Sequence, residues 1–227
     1  MASGNKQIKR AVVLLSGGLD SSTVLFYALR MGYECHALIF DYGQRHRKEV
    51  RSAMKIASRA GVKYQIVGIM LPWGGSSLIE KNSNVPIHSL RKIGKFIPST
   101  YVPSRNTIFL AFAASFAESI NARSIFIGAN SVDYSGYPDC RPEYLNEFAK
   151  LLKLGTKAGT MGAGISIKAP LIDKSKAQIV SLAAKLRVPF ELTWSCYLGE
   201  KMPCGKCDSC KLRAEGFRKS GFVDPLI

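Results

Sequence analysis

Seven residues near the amino end, Ser16-Gly17-Gly18-Leu19-Asp20-Ser21-Ser22, put two glycines, three hydroxyls and one carboxylate into a single turn. An apolar run at 11–15 precedes them and an amphipathic stretch from Thr23 to Met31 follows, so a strand runs into a glycine loop and the loop into a helix. Gly17 and Gly18 let the backbone turn tightly and come close to a ligand, while the serines supply hydroxyl donors. The helix start adds free N–H groups and the positive end of its dipole. This is a cradle for an anion, and the natural anion is a nucleotide phosphate. An ordinary βα turn of small residues is the bland alternative. No Gly-x-x-x-x-Gly-Lys-Ser/Thr pattern is present, so the lysine that reaches terminal phosphates in that motif is missing.

A second set lies near the carboxyl end. Cys196, Cys204, Cys207 and Cys210 offer four thiolates within fifteen residues. Such a set suits tetrahedral zinc, and with all four ligands from protein the role is structural. An iron–sulfur cluster is the competing occupant and four unliganded thiols the weakest reading. Lys201, Lys206 and Lys211 offset the negative charge. Cys35 reads as a small core hydrophobe in a strand.

Strand patterns at 11–15, 34–40, 63–69, 123–128 and, less clearly, 165–168 alternate with helix patterns at 21–31, 45–60, 105–121, 142–154 and 174–187. Alternation with Val- and Ile-rich strands predicts a doubly wound parallel α/β sheet, with its ligand crevice at the carboxyl ends of the strands. Residues 70–104, scattered with Gly, Pro, Ser and Asn, form a connection long enough to be a lid over that crevice. The expected division is a nucleotide domain over 8–190 and a small cysteine-bearing appendage over 191–227.

The Ser-Gly-Gly-x-Asp-Ser loop resembles the PP-loop of N-type ATP pyrophosphatases. Tyr42-Gly43-Gln44-Arg45-His46, Val102-Pro103-Ser104-Arg105-Asn106, the segment from Asp133 to Arg141 and the four terminal cysteines recur with it. Together, from about Arg10 to Ala214, they resemble the 7-cyano-7-deazaguanine synthase family. The resemblance implies an adenine nucleotide alpha hydrolase-like fold and an ATP-dependent ligase. Its reaction turns a 7-carboxy-7-deazaguanine and ammonia into the nitrile through adenylated acid and amide. ATP, Mg²⁺ and Zn²⁺ are the implied cofactors and a homodimer the implied assembly.

Roles then follow residue by residue. Leu15, Ser16, Gly17, Gly18, Leu19, Asp20, Ser21, Ser22, Thr23, Val24 and Leu25 would hold the phosphates, with Ile39 and Phe40 bordering adenine. Asp20 would orient Mg²⁺, directly or through water, or simply sit at a helix start favoured by the dipole. Arg105 would neutralise phosphate or carboxylate, and Lys176 would meet the transferring phosphate, with Lys174 as its decoy. Tyr42, Gln44, Asp133, Tyr134, Tyr137, Asp139 and Arg141 are the substrate candidates. Asp133 or Asp139 would accept from the ring, Tyr134 or Tyr137 would stack, and Arg141 would meet the carboxylate. His46 reads equally as an exposed helix residue. A nucleophilic Cys140 is disfavoured, since acyl adenylates need no thiol.

With 32 Lys and Arg against 16 Asp and Glu, the net charge is +16. Such a field attracts ATP, acidic substrates and nucleic acid alike, so nucleic-acid contact is possible though the implied chemistry does not need it. Direct tRNA modification and a non-catalytic nucleotide-binding module are the competing functions. The absence of a membrane-length apolar run or signal-peptide layout predicts a soluble cytoplasmic protein.

Overall fold

The computed structural model describes residues 8–80 and 82–227, except for the side chains of Tyr134 and Ser135. In chain order, β1 (Arg10–Leu14), α1 (Leu19–Arg30), β2 (Glu34–Asp41), α2 (Lys48–Arg59) and β3 (Lys63–Gly68) build one half. Then α3 (Arg105–Ser119), β4 (Ser124–Phe126), α4 (Ser131–Gly136), α5 (Pro142–Gly155), α6 (Lys157–Thr160), β5 (Ser166–Lys168), α7 (Lys176–Lys185) and α8 (Asp208–Ser220) complete the fold.

The five strands form one parallel sheet in the order β3-β2-β1-β4-β5. The chain winds outward from β1 in one direction and then from β4 in the other, so the switch point lies between these central strands. Alternate β1 residues feed two cores, as a strand buried on both faces requires. Val13 and Leu15 pack with Leu25, Ile56, Ile179 and Phe217, under α1, α2, α7 and α8. Val12 and Leu14 pack with Leu110, Ala113, Leu145 and Phe148, under α3 and α5.

The expected α/β sheet is therefore present, with shifted boundaries. The pattern at 45–60 becomes a helix only from Lys48, because Arg45 and His46 are used in tertiary contacts described below. The expected helix at 21–31 starts at Leu19, where Asp20 suits the first turn. Strand β5 has three residues.

Helix α8 has no apolar period that announces it. Its buried set is Asp208, Cys210, Arg213, Gly216 and Phe217. It packs along α7, where a Cβ on Gly216 would lie 3.0 Å from the Lys176 Cβ, so glycine permits the close approach. The cysteine-bearing segment is thereby fused to the main body. Arg213 reaches both oxygens of Asp224, at 2.6 and 2.9 Å, and donates to Thr193 Oγ1 at 2.7 Å.

Residues 70–80 and 82–104 form a strap of turns tied down at several points. Leu71, Ser76, Ser77, Thr100 and Val102 are buried. Arg45 donates to the carbonyls of Ser77 and Ser83, at 3.2 and 2.5 Å. Farther along, the amide and Nδ1 of His88 each meet an Asp208 carboxylate oxygen at 2.6 Å.

Candidate active site

The loop after β1 turns at Gly17, whose φ of 84° is the left-handed region that glycine enters without strain. A Cβ there would collide with the Glu49 carbonyl oxygen and the Ala53 nitrogen of α2. Across the loop, a Cβ on Gly128 would stand 3.1 Å from the Ser21 nitrogen, so the end of β4 also presses on the turn. Ser16 is exposed, with its hydroxyl 3.0 Å from that of Ser21.

Above this loop, at the carboxyl ends of β1, β2 and β4, lies a cavity of about 280 Å³. Leu15, Ser16, Gly18, Leu19, Asp20 and Ser21 line it. Arg105 and Lys176 face the same space, as do Phe40, Tyr42, Gln44, Asp133 and Tyr137. The topology thus brings together residues more than 150 positions apart.

Other candidates stand elsewhere. Ser22 and Thr23 donate their hydroxyls to the carbonyls of Gly18 and Leu19, at 2.6 and 2.7 Å, and so tighten the first turn of α1. Val24, Leu25 and Ile39 lie in the core. Asp139 receives the Asn106 amide N–H at 2.9 Å and its side-chain nitrogen at 3.2 Å, which anchors the start of α3 beside Arg105. The preceding Ser104 takes a left-handed φ of 52°. Arg141 is exposed at the start of α5. Tyr134 lies outside the described side chains.

The charged candidates Asp20, Asp133 and Lys176 gather around Asn130, a residue the sequence did not single out. Asn130, fully buried, donates through Nδ2 to Asp20 Oδ2 at 3.1 Å and to Asp133 Oδ2 at 2.5 Å. Its side-chain oxygen Oδ1 accepts from the Val132 amide at 2.9 Å and caps α4. Lys176 forms an ion pair with Asp20 Oδ2. Burial disfavours the Lys176 charge, but the Asp20 and Asp133 carboxylates outweigh it and hold its pKa above the ordinary lysine value. Burial pushes Asp133 up to about 6 against the pull of Lys176. Asp20 Oδ1 is buried without a hydrogen-bond partner. That orphaned oxygen beside a phosphate-type loop fits a divalent cation.

Arg105 crosses the cavity wall and donates to the Tyr42 hydroxyl at 3.0 Å. Burial works against its charge, yet the facing groups of Tyr42, Tyr137 and Cys140 raise its pKa overall. No ion pair engages Arg105 among the described residues. Its guanidinium is therefore open to an anion in the cavity. Cys140 also faces the cavity, and burial pushes its thiol well above the ordinary cysteine value. A thiol held in the neutral form is a poor nucleophile. Phe40 stacks on Phe109 at 3.9 Å between ring centres, giving the cavity a flat aromatic wall.

The Tyr-Gly-Gln-Arg-His segment acts largely as scaffold. Gln44 accepts the Tyr42 amide at 2.8 Å and donates to the Phe40 carbonyl at 3.3 Å. His46 Nε2 meets the Cys196 carbonyl at 3.0 Å, and its ring fills the space that a Cβ on Gly199 would need. This histidine braces the cysteine loop.

The sulfurs of Cys196, Cys204, Cys207 and Cys210 all lie within 4.8 Å of one another, and those of Cys204 and Cys210 are 3.9 Å apart. A tetrahedral zinc site with bonds of about 2.3 Å places its sulfurs about 3.8 Å apart. The backbone amides of Leu198 and Cys204 point at Cys196 Sγ, and those of Lys206 and Cys207 at Cys204 Sγ, each at 3.4 Å. N–H donors around sulfur stabilise thiolates, so the residues fit a structural metal.

The family described as "Queuosine biosynthesis protein QueC" matches residues 10–221. A 7-cyano-7-deazaguanine synthase of Thermoplasma volcanium is 56% identical over 218 residues, 96% of this chain and 90% of that one. The Nostoc punctiforme protein of the same name is 52% identical over 221 residues, 96% of this chain and 99% of its own length. Among solved structures, an NMN synthetase from Francisella tularensis superposes with a TM-score of 0.53. It shares 16% identity over 96% of this chain and 80% of that one, a likeness of fold alone. No described helix is long and apolar enough to cross a membrane.

Proposed function

Because the chain belongs to the QueC family of queuosine biosynthesis proteins, we propose that it converts 7-carboxy-7-deazaguanine and ammonia to 7-cyano-7-deazaguanine with ATP. The observation that carries the reading is the pairing of two anion sites in one cavity. The glycine–serine loop lines it, and so does Arg105, which has no ion pair among the described residues. A triphosphate and a carboxylated heterocycle call for that pair.

The chemistry follows from the electrophile. A carboxylate cannot expel oxide, so its oxygen must first become AMP. The loop from Ser16 to Ser21 and the start of α1 hold the phosphates. Lys176, kept cationic by Asp20 and Asp133, neutralises charge as pyrophosphate leaves. Arg105 orients the acid for attack on the α-phosphorus. The flat wall at Phe40 and Phe109 suits the adenine. Ammonia displaces AMP to give the amide, the amide oxygen is adenylated in turn, and loss of AMP leaves the nitrile. Asp133 and Tyr137, in the same cavity, are the groups that read the heterocycle. A divalent cation at Asp20 would supply further charge neutralisation. Zinc at the four cysteines, a homodimeric assembly and a cytoplasmic location belong to the same proposal, and no nucleic acid is required.

The test is direct. The protein, ATP, magnesium, the carboxylated deazapurine and ammonium should yield the nitrile by mass spectrometry, with two AMP per nitrile. Lys176→Ala and Arg105→Ala should each lower that rate by about a hundredfold or more. AMP release that requires tRNA and ignores the deazapurine would overturn the reading.

A further inference from the structure

The cavity contains a carboxylate that the phosphate and substrate assignments leave unused. Glu49, in the first turn of α2, lines the same space as the glycine loop and Arg105. Its position beside the loop is fixed, because its own carbonyl oxygen occupies the room that a Cβ on Gly17 would take. Neither a hydrogen bond nor an ion pair engages the Glu49 carboxylate among the described residues. In the other two cavity carboxylates Oδ2 is engaged, that of Asp20 by Lys176 and Asn130 and that of Asp133 by Asn130, and Asp20 Oδ1 is the oxygen assigned above to a cation.

The remaining groups around the cavity are poor proton acceptors. Burial raises the pKa of Tyr42, Tyr137 and Tyr197, and that of Cys140. Lys176 and Arg105 are cations. The charges that act on Glu49 are those of Arg105 on α3 and, more weakly, Cys196 of the cysteine loop. Burial outweighs Arg105 and pushes Glu49 up to about 7.

The proposed reaction needs such a group. Ammonia exists mainly as ammonium near neutral pH, and ammonium has no lone pair. All four of its protons must leave before the nitrogen becomes a nitrile. We propose that Glu49 is a catalytic residue that binds ammonium in the cavity and accepts protons from the nitrogen. The inference rests on the reading given above.

The first step balances as follows. An N–H proton passes to the Glu49 carboxylate and frees the lone pair. That pair forms the C–N bond to the adenylated carbonyl carbon, and the C–O bond breaks as AMP leaves with its electrons. Glu49 hands its proton to solvent and takes the second proton from the new nitrogen, giving the amide. The last two protons leave as the adenylated amide forms and collapses to the nitrile.

The experiment compares the wild type with Glu49→Gln and Glu49→Asp, at one pH, using two nucleophiles. Acid-dependent exchange of pyrophosphate into ATP reports adenylation without any amine. Glu49→Gln should keep that exchange within about threefold and lose about a hundredfold or more of its ammonium-dependent amide formation. Hydroxylamine is already a neutral amine at pH 7, so it should bring the variant close to the wild-type rate. Glu49→Asp, which keeps a carboxylate, should retain more ammonium-dependent activity than the glutamine variant. Full activity of Glu49→Gln with ammonium overturns the proposal. Equal loss with both nucleophiles, or loss of exchange in both variants, overturns it too, by making Glu49 part of the nucleotide site. A wild type that shows no acid-dependent exchange refutes the ligase reading itself, which separates the two failures.

Discussion

Asp224→Ala is the sharpest test of how the cysteine-bearing segment is held. The Arg213 side chain is 3% exposed and that of Asp224 7%. Two hydrogen bonds run from the guanidinium to Asp224, and others go to Thr193 Oγ1 and, at 3.3 Å, to the Phe190 carbonyl. Removing the carboxylate leaves a buried cation with two unmet donors. Breaking one side of such a pair costs about 3–5 kcal/mol. For a chain of this size that lowers the melting temperature by about 10 °C. Replacing both partners with apolar residues of similar volume costs far less, because no orphaned charge remains. Arg213→Met with Asp224→Leu should therefore recover most of what Asp224→Ala loses. Urea unfolding of the metal-replete protein reads both effects. An Asp224→Ala midpoint within about 1 kcal/mol of wild type would refute the reasoning, as would a double variant that is worse than the single.

Gly17→Ala should destabilise the protein by at least about 1–2 kcal/mol, since the left-handed backbone and the collision with α2 act together. It should also depress AMP formation, and both are read by denaturant unfolding and turnover. Cys207→Ser should lose bound zinc by elemental analysis and lower the melting temperature, while a strong chelator does the same to the wild type. Glu49 also sets a pH dependence of stability. Its pKa lies at about 7 in the fold against an ordinary 4.5. Between these values the folded chain keeps a proton that the unfolded chain has released. Stability therefore falls as pH rises through that window, and the loss is complete above it. Glu49→Gln escapes this loss, so at pH 8 it should exceed wild type by about 1–2 kcal/mol. At pH 4 the two urea midpoints should agree.

What the sequence made legible was chemistry confined to short stretches. The loop at Ser16 to Ser22 carries its turn, its donors and its helix start in adjacent positions. The cysteines carry their own geometry in their spacing, and the sulfurs do converge. The order of β-strands and helices was equally readable, because both faces of a parallel sheet demand apolar runs. What stayed hidden depended on partners far along the chain. Asn130 looks like an ordinary loop residue until Asp20 is brought within 3.1 Å of it. The run from Gln44 to Arg51 reads as a solvated helix face. Instead Gln44 closes the end of β2, Arg45 pins the strap, His46 braces the cysteine loop and Glu49 turns into the cavity. Asp139 offered itself as a substrate acceptor, yet its oxygens hold Asn106. Helix α8 escaped notice because it buries Asp208, Arg213 and Gly216 along with its few apolar residues.

The strap after β3 is moored near its middle to Asp208, the residue immediately after Cys207, through both the amide and the ring of His88. Lys211, one residue beyond Cys210, grips the His88 carbonyl at 2.6 Å. The cysteine-bearing segment and the strap are therefore mechanically joined. A metal held by the four sulfurs would steady the strap as well as its own loop, and stripping that metal should slacken both before it disturbs the sheet.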